Sequence, residues 1–267
     1  LVGAPFTFGF SQLGAHCGAV GQNCTIDVNG TAFWMGKDSF FMFDGSVQKL
    51  KCSVEDYVFT DISPGSQRDS FAANNSEFNE VTWFYASSSS TVIDRCVSYN
   101  YADQVWSVGT LPRSSWIDKG VYEYPYATSY SASDTAATIS TITGLTAGRA
   151  YMYAQEFGND ADGAAMTSYV ESGDFVIPEA GEYLMSIKRF IPDFKNLEGT
   201  VNVTLKFRDY PASTQRTSGP FAITTSTTKV DTRARGRQGA VRIESSATGD
   251  AWRFGTYRAD VRQDGMR

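Results

Sequence analysis

The chain has 267 residues, 42% hydrophobic and 14% aromatic, with 23 Lys/Arg against 29 Asp/Glu for a net charge of −6. That length buries one large core or two modest ones, and the acidic balance argues against a dedicated nucleic-acid binder. Almost no window keeps apolar residues at helical spacing, and no stretch reads as a secretory leader or a membrane span, so an all-β chain is expected.

Residues 1–28 are glycine-rich and predict irregular structure with one short strand. The first residue is Leu1, so the chain is expected to be cut from a longer precursor or to lack its true beginning. His16 beside Cys17 invites a zinc reading, but clustered ligands are missing. Cys17, Cys24, Cys52 and Cys96 match no metal or redox spacing, and buried free thiols are expected.

Residues 31–36 read as a strand, Lys37-Asp38 as a tight turn and residues 39–43 as the returning strand. Asp44-Gly45 supplies the positive φ that the next turn needs. Residues 61–66 form a turn around Pro64-Gly65, and residues 67–76 read as a short polar helix or a linking loop. In residues 79–109, Val81, Trp83 and Tyr85 alternate with Thr82, Phe84 and Ala86, the two-residue period of a half-buried strand. The small, polar residues 87–91 allow a reversal, residues 94–101 form a second strand, and Val105, Trp106 and Val108 open a third. This meander reads like one blade of a β-propeller. Phe33 and Val81 lie 48 positions apart (81 less 33), within the roughly 40–50 residues of known blade repeats. A weaker third copy falls at residues 149–154, after a Ser/Thr/Ala-rich insert at 128–146.

Residues 111–120 cross to the next unit. Arg113, Trp116 and Asp118 there either line a ligand site or pin the crossing, and the second is preferred because nothing else converges on them. Asp160, Asp162 and Glu171 suggest a calcium loop, but Ala164 takes the fifth position and Gly163 the fourth. The pattern fails and an acidic surface turn is expected. From Tyr169 onward, strands are predicted at 169–177, 182–191, 200–208, 220–225, 229–232, 240–244 and 252–261. That spacing suits a sandwich or jelly roll.

The chemistry that the chain offers is sparse. A Ser-His-acid set would need His16, which has no nucleophile elbow around it. Phosphate-binding glycine loops are missing, and no carboxylate pair is singled out for glycoside hydrolysis. Four Asn-x-Ser/Thr sites stand at Asn23, Asn29, Asn74 and Asn202. No catalytic, cofactor or metal residue is therefore assigned. Residues 229–267 carry nine Lys/Arg against five Asp/Glu, and the remainder carries 14 against 24. Within that basic tail, Arg233, Arg235 and Arg237 alternate, so an extended chain puts them on one face. They can grip anionic groups, or they form a salt-bridge ladder, which is preferred because interleaved aromatics are missing.

VTWFY at 81–85, NYADQVW at 100–106 and GTLPRSSW at 109–116 together resemble structural proteins of tailed bacteriophages. So do KVDTRARGRQ at 229–238, RIESS at 242–246 and WRFG at 252–255. The resemblance is to the C-terminal part of tail tubular, nozzle or head-to-tail stabilisation components of short-tailed phages, over most of residues 29–267. The insert at 128–146 and a missing N-terminal portion depart from it. It implies a non-enzymatic virion protein of the tail, assembled in the host bacterial cytoplasm as a homo-oligomeric, six-fold ring. Adaptor or portal proteins would be its neighbours, and DNA would pass through the channel without sequence-specific binding.

The expected architecture is all-β: partial β-propeller-like blades over 1–163, then a β-sandwich or jelly-roll-like C-terminal module over 164–267. Arg233, Arg235, Arg237 and Arg242 are the expected interface residues, and no cofactor is expected. The rival reading is a carbohydrate-binding or glycan-hydrolysing propeller domain with exposed Trp and Tyr as sugar platforms. A third is a secreted adhesion module. On the tail reading, replacing Arg233, Arg235 and Arg237 together by Ala impairs particle assembly, and normal particles from the triple variant would refute that role.

Overall fold

A computed structural model describes residues 9, 11–131, 149–177 and 183–266. The protein is all-β, built from antiparallel sheets, and the described residues include one short α-helix. Among the described residues no helix is long and apolar enough to cross a membrane. The chain divides into two compact units, Leu1–Phe157 and Gly158–Arg267, where the sequence places a boundary near Ala164.

In the first unit, β1 (Thr25–Val28), β2 (Thr31–Met35), β3 (Phe40–Phe43) and β4 (Val47–Lys49) form a four-stranded meander. Its first hairpin turns on Asn29 and Gly30, at φ 53° and 85°, the paired left-handed conformation that matches the twist of the flanking strands. A second meander follows: β5 (Phe71–Asn75), β6 (Glu80–Tyr85), β7 (Arg95–Asn100) and β8 (Val105–Thr110). The expected reversal between β6 and β7 is closed by Asp94, whose carboxylate accepts from the Ser87 amide at 2.7 Å and the Ser87 hydroxyl at 2.8 Å. The β7–β8 turn is held by the Asn100 side-chain oxygen, which accepts from the amides of Ala102 and Asp103. A third sheet has the order β11 (Arg149–Ala154), β10 (Tyr126–Ser131), β9 (Ser115–Ile117). Residues 128–131 of the expected insert belong to β10, and the rest of it, like Pro5, lies outside the described residues.

Two readings of this unit need correction. Residues 67–76 are neither one helix nor one loop: Gln67–Asp69 is a single 3-10 turn and Phe71–Asn75 is β5. Its sequence, FAANN, is poor in strand formers. Pairing with β6 and the bond from the Ala72 amide to the Asn23 carbonyl at 2.8 Å override that weak local preference. The helix α1 (Glu55–Asp61), which buries Val58, was not anticipated at all; at seven residues it is too short for a helical period to stand out.

The aromatic residues explain why the sheets lie where they do. Phe33, Met35 and Phe40 from the first sheet share one core with Val81, Trp83 and Tyr85 from the second. Phe40 sits 4.8 Å from the Trp83 ring and 4.7 Å from Trp106. The strand β6 is not half-buried as its alternation suggests. Phe84, on its opposite face, is also fully buried, stacking on Phe71 and meeting Trp116 of β9. Sheets therefore cover both faces of the second meander.

The second unit contains β12 (Ser168–Glu171), β13 (Tyr183–Ile191), β14 (Phe194–Glu198), β15 (Val201–Arg208) and β16 (Arg216–Ile223). It continues with β17 (Val230–Gly236), β18 (Gln238–Ser245), β19 (Ala251–Phe254) and β20 (Arg258–Met266). One sheet has the order β12-β18-β15-β16, a second β17-β13-β20, and β14 pairs with β19. Met185, Ile187 and Phe190 of β13 share a core with Val203, Leu205 and Phe207 of β15. In β15 buried and half-buried residues alternate without a break, as its sequence period requires. The expected strand at 252–261 is two strands in different sheets. It breaks at Gly255, whose amide donates to the Asp193 carbonyl at 2.8 Å. A Cβ at Gly255 would lie 2.9 Å from the Asp193 carboxylate and 3.2 Å from the Asp193 carbonyl oxygen, so a side chain there would crowd this approach.

Trp83 is fully buried, and its indole N–H donates to the Cys24 carbonyl at 3.0 Å. Trp83→Ala is expected to cost about 3–5 kcal/mol, measured as a lower denaturation midpoint with an unchanged slope. A loss below about 1 kcal/mol would show that the shared aromatic core is not what holds the sheets together.

Candidate functional site

The crossing at 111–120 is pinned by its own chain. The Arg113 guanidinium donates to the Gln155 side-chain oxygen and lies 4.8 Å from the centre of the Tyr153 ring. The Trp116 indole donates to the Asn74 carbonyl at 3.0 Å, and Asp118 accepts from the Asn74 amide group and the Ser76 backbone. Arg113 thus ties the crossing to the end of β11, while Trp116 and Asp118 clasp it to the end of β5 and the β5–β6 turn. The same engagement occupies Asn74, one of the four glycosylation-type asparagines. Asn29 is exposed on its hairpin, and Asn202 lies half-buried in β15.

The calcium-type residues are likewise separated by the fold. Asp160 accepts from the Gly163 amide in a local turn, whereas Glu171 on β12 bonds Lys206 at 2.6 Å and Arg242 at 3.1 Å. Among the described residues no group of three His, Cys, Asp or Glu side chains is placed to hold a metal ion. His16 is exposed, at φ 58°. The four cysteines are free; Cys24 and Cys96 are buried as expected, and Cys17 and Cys52 are half-buried. Burial pushes the thiols of Cys24, Cys52 and Cys96 up to about 11, which keeps them protonated near neutrality.

All five tryptophans donate their indole N–H inside the chain: Trp34 to Cys17, Trp83 to Cys24, Trp106 to Lys51, Trp116 to Asn74 and Trp252 to Ser245. None of them is a free aromatic platform. Large exposed aromatics are tyrosines and phenylalanines, among them Tyr122, Tyr210 and Phe157.

The fold separates the four candidate arginines. Arg242 stands over the Tyr169 ring at 3.9 Å and pairs with Glu171 and Glu244. Arg237 lies past the end of β17 and over the Tyr210 ring at 5.4 Å. Arg235 pairs with Asp264 at 3.0 Å and, with Arg216, Arg237 and Tyr210, lines a depression of about 200 Å³. Arg233 shares the exposed face of β17 with Arg235, as their spacing demands, and has no ion-pair partner among the described residues. Lys188, exposed at the β-bulge of β13, has none either. Nothing in the sequence marked Lys188: its neighbourhood with Arg233 exists only through the pairing of β13 with β17.

Together the outward positions of β17, β13 and β20 carry six cations, Lys188, Arg189, Arg233, Arg235, Arg258 and Arg262, against Asp231, Asp260 and Asp264. In the first unit, carboxylates crowd the opposite way. Glu77, Glu80, Asp118 and Glu156 gather at the β5–β6 turn, with Lys119 pairing Glu77 at 3.5 Å. Desolvation raises the Glu80 carboxyl, and repulsion from Glu156 adds to it. No protein-family model matches the chain, and no curated protein is similar to it.

Glu80 and Glu171 should titrate in opposite senses. Glu80 is held above its unfolded value, so its contribution is favourable below the ordinary carboxylate range and is lost as pH rises through the folded pKa. Glu80→Gln should therefore raise Tm at pH 7 and change little near pH 3.5, below the ordinary glutamate range of about 4.3. For Glu171, burial pushes the carboxyl up, but hydrogen bonds from Lys206 and Arg242 outweigh it and hold the group low. That contribution is present above the unfolded pKa and lost as pH falls through the folded one. Glu171→Gln should cost up to about 1 kcal/mol at pH 7, and the difference should close in acid. Melting curves across pH test both, and parallel shifts at every pH would contradict the assignment.

Proposed function

We propose that this chain is a structural component of a short-tailed phage tail, a nozzle, tubular or head-to-tail connector protein that assembles into a ring around the DNA channel. In this reading the meanders of the first unit are propeller-like blades, and the second unit is a sandwich-like module. Adaptor or portal proteins are the neighbours, and the mature protein resides in the virion.

One observation supports the reading more than any other: the stacked sheets are open at their margin. The third sheet turns Trp116 and Ala127 inward, and its outer face carries Ile117 at 53% and Met152 at 72% exposure. Among the described residues, β4, β8 and β11 each pair along one edge only. Exposed apolar faces and free strand edges are features that folded chains cover with further sheets or other subunits. The acidic first unit, with eight Lys/Arg against fifteen Asp/Glu, would repel DNA from a channel wall. The carbohydrate reading is less favoured because the five indoles are engaged within the chain.

Negative-stain electron microscopy and native mass spectrometry of the purified chain test the proposal. A closed ring of several copies, six on the phage analogy, is the expected result. A chain that stays a monomer at every concentration would overturn it, and glycan binding on an array would then favour the carbohydrate reading.

A further inference from the structure

The two charged regions described above complement each other, and neither is neutralised by the described residues of its own unit. On the outer face of the β17–β13–β20 sheet, Arg189, Arg235, Arg258 and Arg262 have carboxylate partners, while Lys188 and Arg233 have none among the described residues. With Asp193 counted beside Arg258, the face carries two more cations than anions. It is exposed and placed on bulged, paired strands, so its charges are carried on regular backbone and not on loops.

The acidic region has the other half of an interface. Around Glu77, Glu80, Asp118 and Glu156, large apolar side chains stand in solvent: Val121 at 95%, Phe157 at 66%, Tyr122 at 52% and Phe78 at 46% exposure. Tyr124 stacks edge-on against Phe157 at 5.3 Å and lies within electrostatic reach of both Glu77 and Glu123. Lys119 pairs with Glu77, and the other four carboxylates have no ion-pair partner among the described residues. An apolar centre with a charged rim is the anatomy of a protein–protein contact, and complementary potentials set its orientation and partner.

We propose that the basic face of β17–β13–β20 docks on the acidic, aromatic patch at the β5–β6 turn of a second copy of this chain. The two surfaces are different, so the contact is head-to-tail, which generates closed rings when the rotation per copy divides a full turn. The inference rests on the ring reading above and supplies the contact that builds it. Charge complementarity selects the occupant: the chain itself carries a matching patch of opposite sign, with apolar groups ready to be covered. Nucleic acid would match the cations but leave Phe157, Tyr122 and Val121 in water.

Four proteins test it by analytical ultracentrifugation and native mass spectrometry: the wild type, Lys188→Glu/Arg233→Glu, Glu77→Lys/Glu123→Lys, and the chain with all four reversals. The reversed positions are exposed, and near-ultraviolet circular dichroism checks that each variant is folded. The wild type should assemble at low salt and weaken in about 0.5 M salt, where screening shortens to a few Å. Each one-sided reversal should shift the mass to the monomer, and the fourfold reversal should restore the assembly. If one-sided reversals assemble like the wild type, this contact is wrong while the ring reading stands. A wild type that never assembles overturns both. Retention on duplex DNA that Lys188→Glu/Arg233→Glu abolishes, with assembly unchanged, would also overturn the second-copy assignment.

Discussion

The first unit depends on the burial of both faces of β6. Trp83 and Tyr85 point to one side and Phe84 to the other, and all three are fully buried. A strand in that position cannot exist in a two-layer fold with one wet face. It forces a sheet onto each side, and the aromatics dictate which. Phe40 and Trp106 close over Trp83, while Phe71 and Trp116 close over Phe84. The stack of three antiparallel sheets follows from this one requirement, since each large ring removes on the order of 150–250 Å² from water.

Stacking solves the problem for the middle sheet and passes it outward. The β9–β11 sheet covers Phe84 with Trp116 but presents Ile117 and Met152 to solvent. By contrast, the indole donors are well served. Each indole N–H reaches a backbone or hydroxyl oxygen, so ring burial costs no orphaned donor. The buried hydroxyls of Tyr85 and Tyr257 have no hydrogen-bond partner among the described residues, and the surface is left with apolar area and uncompensated charge.

Charge in the second unit follows the same logic. Glu171, Lys206, Arg242 and Glu244 neutralise one another across β12, β15 and β18, and that face needs no partner. The β17–β13–β20 face is different, because a bulge in β13 turns both Lys188 and Arg189 outward while Asp231 answers Arg189 and Lys229. Lys188 and Arg233 are the surplus. An Arg-rich run that reads as one cluster in sequence thus separates into a stacked residue, Arg237, a paired one, Arg235, and Arg233, which has no ion-pair partner among the described residues.

The sequence by itself determined the all-β class, the residues of β2, β3, β6, β7 and β8, and the alternation of β15. Two-residue periods and Asp-Gly or Asn-centred turns are local, and local signals survive in a linear reading. It also showed that Arg233 and Arg235 share a face. Only the tertiary structure decided that FAANN is a strand, that residues 252–261 split at Gly255 between two sheets, and that Phe84 is as buried as Trp83. Those outcomes depend on a partner strand, an approaching backbone at Asp193 and a third sheet, all distant in sequence. The same holds for Lys188 beside Arg233 and for the carboxylates gathered at the β5–β6 turn. Charges drawn together by strand pairing leave no spacing for a sequence to display.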